Sequence, residues 1–463
     1  MQKFAIFYLI AIIFFTWGIF AGHKHIFPWS FLEETYDEIS AFFRGDEHEE
    51  TTAITKVSSL KDPLARVRVG KLYFSTNEDE YDELNHATFK TDFLPPLVKK
   101  TTIGDKNPPL AIALNARAEG NKSLLAIFDE KRNLHRTINF DLDSFSKEFL
   151  SISGLPPSIV GFLNDGSVIG FVNQGSGLFR MDKCGKIKWS VPGFYHHTGD
   201  VDEDNIYLFG IPKNDIDRSF HKKWNHAEIL NVVSLENGKI DRIVSLIDIM
   251  KRNLDSFDPL IQETADRLVN PDQMNTLDED LWHFNTISVL SEELASDYSN
   301  FSSGDWLMHA KRLNLTLIIE PETLKIKWFS AGMTQGAHTP QWIGNGQIML
   351  FNNRSDKNHP QKNHPNNYTN VMIYDFNTDK WAEHFNAKTI NGFTRHSGGL
   401  GFGKNGNILL QFHLQGRVAE INNKGELVWE FVNRIGKRMA LRMGNAYYIP
   451  EKAFREIKDA KCF

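Results

Sequence analysis

Along most of this chain, apolar and polar residues change over in short runs of about four to eight. The runs are bounded by Asn-Gly, Asp-Gly and other glycine turns. That punctuation predicts strands and tight connections rather than helices. The order of runs also repeats. The fullest copy extends from His396 to Trp429: a histidine opens it, two strand-like runs flank the Asn405-Gly406 turn, and a last run ends in tryptophan. A second copy runs from His338 to Trp381, a third begins at His197, and a fourth begins at His283 and ends at Trp328. A unit of this length cannot bury its apolar face alone. Repeated around an axis, such units read as blades of a β-propeller. The innermost strand of each blade lines the axial channel, so histidines that open equivalent strands are expected to converge.

Six blades of roughly 40–50 residues fit after about residue 105. They fall at about 108–142, 156–192, 196–247, 281–332, 336–386 and 394–434, with a helical insertion at about 248–280. Trp189, Trp328, Trp381 and Trp429 recur at matching ends of what reads as the third strand, where they serve as blade core. Asn345-Gly346 and Asn405-Gly406 are hairpin turns, in which both residues must accept positive φ. The expected fold class is therefore all-β: a six-bladed β-propeller over 105–435, with an N-terminal transmembrane anchor and a C-terminal extension at 436–463.

The N-terminal pattern differs. Residues 4–22 carry no charge and are long enough to span a bilayer as one helix. No A-x-A cleavage pattern follows, so a signal anchor is expected over a cleaved signal. Lys3 and the amino terminus lean towards the N-terminus inside and the body outside, in a periplasmic or extracellular/luminal space. Residues 23–104 read as a juxtamembrane amphipathic helix (Phe31, Leu32, Tyr36, Ile39, Phe42), the acidic linker Asp46–Thr52 and accessory strands.

Composition narrows the function classes. A net charge of −6 with no basic run disfavours nucleic acid. An apolar fraction of 41% with 12% aromatics suits stacked sheets and is too low for a polytopic membrane protein. Cys184 and Cys462 form neither a disulfide framework nor a metal pattern. A bond between them is open, but nothing in the sequence argues for it, and they read as free or incidental.

Three local elements carry a family resemblance. They are Trp282-His283-Phe284-Asn285-Thr286-Ile287; Ala337-His338-Thr339-Pro340-Gln341-Trp342 followed by NGQIMLFNN; and His197 ahead of a turn and a strand. With the blade grammar, they make the chain resemble the bacterial arylsulfotransferases and the wider arylsulfotransferase-like group over about 105–435. The resemblance implies a ping-pong sulfuryl transfer from an aryl sulfate ester to a phenol, with no cofactor and no metal. It implies His338 as nucleophile and His197 and His283 as assisting histidines. The family's site arginine falls at Lys311, with Arg312 next to it. Lysine keeps the charge but loses the planar fork that grips two oxygens. If both lie on a strand, alternation lets only one face the channel.

Substrate-binding positions are expected at His196, which competes with His197 for the inward place, and at His396, Arg354 and Asn285. His359 and His364 lie in a Pro- and Asn-rich stretch without ligand spacing. Two further readings stay open. One is a non-catalytic, membrane-anchored propeller that binds a small ligand, a glycan or a protein. The other is a metal hydrolase built on His197, His283, His338 and His396.

Overall fold

The computed structural model describes residues 53–55, 67–71, 82–83, 96–101, 107–115, 123–140, 157–172, 177–211, 228–257, 283–354, 368–395, 397–436 and 439–462. The expected anchor, the juxtamembrane helix, His359, His364 and His396 lie outside these residues. Among the described residues no helix is long and apolar enough to cross a membrane.

Six antiparallel sheets form the propeller. Blade 2 is the plainest: Ser158–Phe162, Val168–Val172, Gly177–Met181 and Ile187–Val191, each paired with the next. Blade 3 has a broken inner strand, Phe194–Tyr195 and Asp200–Val201, both pairing with Asn205–Ile211, followed by Ile229–Ser234 and Ile240–Ser245. Blade 4 is Phe284–Val289, Trp306–Ala310, Leu315–Ile319 and Ile326–Ala331. Blade 5 is His338–Gly344, Gln347–Asn352, Asn370–Asp375 and Lys380–Asn386. Blade 6 runs from Gly399–Phe402 to Leu427–Val432 and is extended outward by Leu97–Lys100 and Asp82–Glu83.

Blade 1 takes only three strands from its own segment: Leu110–Asn115, Ser123–Phe128 and Leu134–Asn139. Its innermost strand is Ala446–Tyr448, drawn from the segment read as a C-terminal extension. A small separate sheet joins Ala53–Thr55 and Val67–Lys71 to Met439–Leu441 and Arg434–Gly436.

The core is divided between the blades. Met349, Phe351, Leu400 and Phe412 fill the space between blades 5 and 6, and Tyr207, Phe209, Trp306 and Leu317 that between blades 3 and 4. Each blade thus packs chiefly against its two neighbours, as in other repeat architectures. Trp189, Trp328, Trp381 and Trp429 sit on the fourth strands of their blades rather than the third; the first three are half-buried against the core and Trp429 lies within it. Trp429 is fully buried against Phe128 and Phe431. The described part of the expected insertion is the helix Leu246–Arg252, capped by Ser245. Its Leu246, Ile249 and Met250 enter the core of blades 3 and 4 rather than standing outside the array.

The two cysteines are not free. Cys184 and Cys462 are disulfide-bonded, with Cα atoms 5.3 Å apart and 278 positions between them in the chain. Cys184 lies in the outer hairpin of blade 2. Cys462 follows the helix Glu451–Lys458, whose Ala453, Phe454 and Ile457 pack on blades 1 and 2. No local spacing could signal a bond this distant in sequence.

Around the axis, side chains tie the inner strands into a ring. Asn445 exchanges bonds with Ile159, its Oδ1 accepting at 2.6 Å and its Nδ2 donating at 2.5 Å. Gln411 does the same with the backbone of Ala446, 2.9 Å each way. Thr286 Oγ1 accepts from Thr339 N at 3.0 Å, and Thr339 Oγ1 accepts from Leu400 N at 2.8 Å. The register of the inner strands is therefore fixed from blade to blade, which holds the side chains at their ends.

Candidate active site

The inner strands of blades 3 to 6 bend at one level. His197, His283, Thr339 and Ser397 all have positive φ, between 46° and 64°. Non-glycine residues adopt this conformation at a cost, and it clusters where a side chain must be aimed. Here the bend turns His197 and His283 towards each other, and His338 opens the strand that carries Thr339.

His196, His197 and His283 form a continuous contact. His196 Nδ1 lies 2.5 Å from His197 Nδ1, and His197 Nε2 lies 2.8 Å from His283 Nε2. The inward place is not a choice between His196 and His197: His197 touches His283, and His196, fully buried, stands behind it. Burial, then the neighbouring His283 and His196, hold the His197 imidazole well below the usual histidine range, so it is neutral at pH 7.

His338 is 6% exposed. Its Nδ1 is 2.6 Å from Asn353 Oδ1. The amide of Asn353 is oriented by its other end, because Nδ2 donates to Thr394 O at 2.8 Å and Ser397 O at 2.7 Å. The oxygen facing His338 can only accept, so Nδ1 carries the hydrogen and Nε2 the lone pair. Burial and the Lys311 charge push the His338 imidazole well below the usual range. It is a neutral imidazole with a preset tautomer.

Lys311 and Arg312 are not on a strand. The strand stops at Ala310, and Lys311–Leu313 is a 3₁₀ turn closed by Asn314 in the left-handed region. Within it Lys311 is half-buried and Arg312 exposed. The lysine lowers the basicity of His338, His197 and His309, so its charge lies beside the histidines. The same turn supports the approach to His338: Asn314 Oδ1 accepts from Gly336 N at 2.8 Å. Asn285, 1% exposed, adds a second tether, its Nδ2 donating to Ala337 O at 2.6 Å, while its buried Oδ1 has no hydrogen-bond partner. Arg354 is drawn the other way. It stacks over Tyr368 at 4.2 Å and lies 3.9 Å from Glu383 on the outer strand, which does not bring it to the histidines.

Two further histidines belong to this region and were not singled out in the sequence. His309 is fully buried, bonded to Thr316 through Nδ1, with Nε2 lacking a partner, and burial pushes it down to about 3. His413 occupies in blade 6 the turn position that Lys311 has in blade 4, closed by Gly416 in place of Asn314. Its Nδ1 accepts from Gly398 N, and burial, then Arg442, push it down to about 3. A helix-like H-L-Q-G ending after a strand was the available signal.

Beyond the bends, a cavity of about 60 Å³ follows the axis, lined by Thr198, Thr286, Thr339, Gln341, Asp200 and Tyr447 among others. It has room for a few waters. Burial pushes the Asp200 carboxyl up to about 6. Among the described residues no group of three or more His, Cys, Asp or Glu is disposed to hold a metal ion.

A family model described as arylsulfotransferase (ASST) matches residues 160–434, more than half of the chain. This protein belongs to the arylsulfotransferase family. The matched span covers His196, His197, Glu228, His283, Lys311, His338 and Asn353. No curated protein matches in sequence. Solved structures with related coordinates include a protein of unknown function from Bacteroides caccae, 11% identical, covering 73% of this chain and 99% of that one, TM-score 0.44. TolB from Acinetobacter baumannii is 11% identical over 73% of this chain and 66% of its own, TM-score 0.41. Virginiamycin B lyase from Staphylococcus aureus, with quinupristin, is 10% identical over 71% and 86%, TM-score 0.35. Likenesses this distant carry no inference about activity.

Proposed function

We propose that this arylsulfotransferase-family chain moves a sulfuryl group from an aryl sulfate ester to a phenol, through a sulfohistidine on His338. The observation that carries the reading is the Asn353 bond, which leaves the His338 Nε2 lone pair free on a buried, neutral imidazole. In the first half-reaction Nε2 attacks sulfur and the bond to the aryl oxygen breaks. In the second, a phenol oxygen attacks sulfur and the N–S bond breaks. Lys311 supplies positive charge for the sulfuryl oxygens, as a point charge rather than a fork.

The body is proposed to act outside the cytoplasm, anchored through residues 4–22. The Cys184–Cys462 bond supports this, since such bonds persist in oxidising compartments. Incubation of the purified protein with p-nitrophenyl sulfate and phenol tests the activity. Release of nitrophenol that depends on phenol, with phenyl sulfate formed, is expected. No transfer from any aryl sulfate would leave a non-catalytic binding propeller.

A further inference from the structure

The tautomer of His338 depends on more than its own blade. Asn353, whose oxygen faces His338 Nδ1, donates through Nδ2 to Thr394 O and to Ser397 O. Ser397 leads into blade 6 with φ 63°, a left-handed conformation that a serine holds at a cost. Its carbonyl stays turned towards the amide only while that bend is held. The bend is pinned at two further points. Arg442 Nη2 donates to Ser397 Oγ at 2.5 Å. Gly398 N, the next amide, donates to His413 Nδ1 at 3.2 Å.

Arg442 acts at both points. Its guanidinium bonds the hydroxyl directly, and its charge adds to burial in keeping the His413 imidazole neutral. His413 must be neutral to accept at Nδ1, because a protonated ring only donates. The surroundings of the ring agree with that tautomer. His413 Nε2 lies 3.2 Å from Gln411 Oε1, an oxygen that also accepts from Ala446 N. Arg442 itself is 8% exposed, and the backbone on both sides of it is tied down. Leu441 N donates to Asn433 O, and Met443 N to His413 O. An arginine suits this place, because its planar fork can bond Ser397 and still be held by other neighbours.

One line therefore runs to the nucleophile from a segment beyond the matched family span. It passes from Arg442 to Ser397, from Ser397 to Asn353 and from Asn353 to His338, at 2.5, 2.7 and 2.6 Å. All three are hydrogen-bond lengths. We propose that Arg442 is a positioning residue for the nucleophile: by holding the Ser397–Gly398 bend, it keeps the Asn353 amide turned and His338 in its Nδ1–H form. The consequence for rate rests on the sulfuryl-transfer reading above, whereas the consequence for the tautomer does not. Arg442 touches no reacting atom in this scheme.

The test reads rate and tautomer separately in the full-length protein. Arg442→Met removes both the fork and the charge. Single-turnover labelling by a radiolabelled aryl sulfate is expected to slow about fivefold, the worth of one ordinary hydrogen bond. The loss stays below that of Asn353→Ala, because Thr394 O still grips the amide. In an Asn353→Ala background, Arg442→Met should cost nothing further, since the line to His338 is already cut. Independent sites would give additive losses instead. ¹⁵N-histidine NMR, with His338→Gln to assign the signal, reads the tautomer without turnover. The Nδ1–H form should dominate in the unmodified protein and lose share in Arg442→Met. Ser397→Gly accepts the bend but lacks the hydroxyl. It should give the same shift and the same loss, whether or not Arg442→Met folds. Arg442→Lys, which keeps the charge, should recover part of both. Additive losses, a lowered Tm with the His338 signal unmoved, or an unmodified His338 in its Nε2–H form would each overturn the positioning role while leaving sulfuryl transfer intact. An unmodified protein that is never labelled would remove the transfer reading, and the NMR comparison would still decide whether Arg442 sets the tautomer.

Discussion

His338, buried, and His197, half-buried, are both neutral imidazoles under the influence of one lysine, yet they are held in opposite ways. The partner of His338 is an amide whose two ends are committed, so its tautomer is locked. The partners of His197 are two other imidazoles, so its tautomer follows theirs. A nucleophile needs one nitrogen permanently available. The same residue type, in one buried volume, is thus given two behaviours by what sits behind it.

The sharpest break of this contrast is His338→Ala. Transfer and labelling of the protein by a radiolabelled aryl sulfate should both vanish; a labelled variant would move the nucleophile elsewhere. His283→Ala removes the ring that His197 touches. It should slow transfer by ~10²–10³, the loss expected for one transition-state donor, while the protein can still be labelled. Asn353→Ala unlocks His338, so its hydrogen is shared between the two nitrogens. A loss of roughly tenfold or more is expected from the diluted tautomer, with Asn353→Asp restoring Nδ1–H. Single-turnover labelling rates compare these variants directly.

Lys311 tests the electrostatic half. It depresses both imidazoles, which therefore stay neutral into mild acid. Lys311→Met removes that charge and raises both basicities, so the acid limb of kcat/KM should move to higher pH. Lys311→Arg should leave the limb in place and keep or improve donor use. An unmoved limb in Lys311→Met would mean that the lysine does not act on the nucleophile. The smallest effect on turnover is expected from reducing Cys184–Cys462, which is remote from the histidines. Stability should fall instead, by up to about 5 kcal/mol on a loop-entropy model, read as a lower Tm.

Much of this was legible in the sequence for a definite reason. Histidines and fourth-strand tryptophans recur in copy after copy of the strand pattern, and a repeat shows even when each copy is weak and the spacing varies. What the sequence hid was mostly non-local. Ala446–Tyr448 is a three-residue strand outside the repeat, recognisable only from the edge it completes. The disulfide joins the outer hairpin of blade 2 to a residue 278 positions further along the chain. Lys311 and Arg312 were read onto a strand because Asn314 was not weighed as a left-handed stop, a role that Asn tolerates well. Arg442 and Asn353 matter only through the side chain that each meets in space. Asn353 stood inside a quoted motif, yet nothing in the chain says that its amide points at His338.

The late strand of blade 1 has a consequence for how the molecule is made. Until residues 446–448 have left the ribosome, Leu110–Asn115 presents an unpaired sheet edge, and the ring around the histidines is open. An open edge of this kind is a template for joining other chains. The ring bond between Gln411 and Ala446, and that between Asn445 and Ile159, must wait for the same residues. A nascent chain stalled before them would therefore carry every histidine of the site and still lack the closed frame that aims them. The frame around the histidines is thus completed by a strand that follows all of them in sequence.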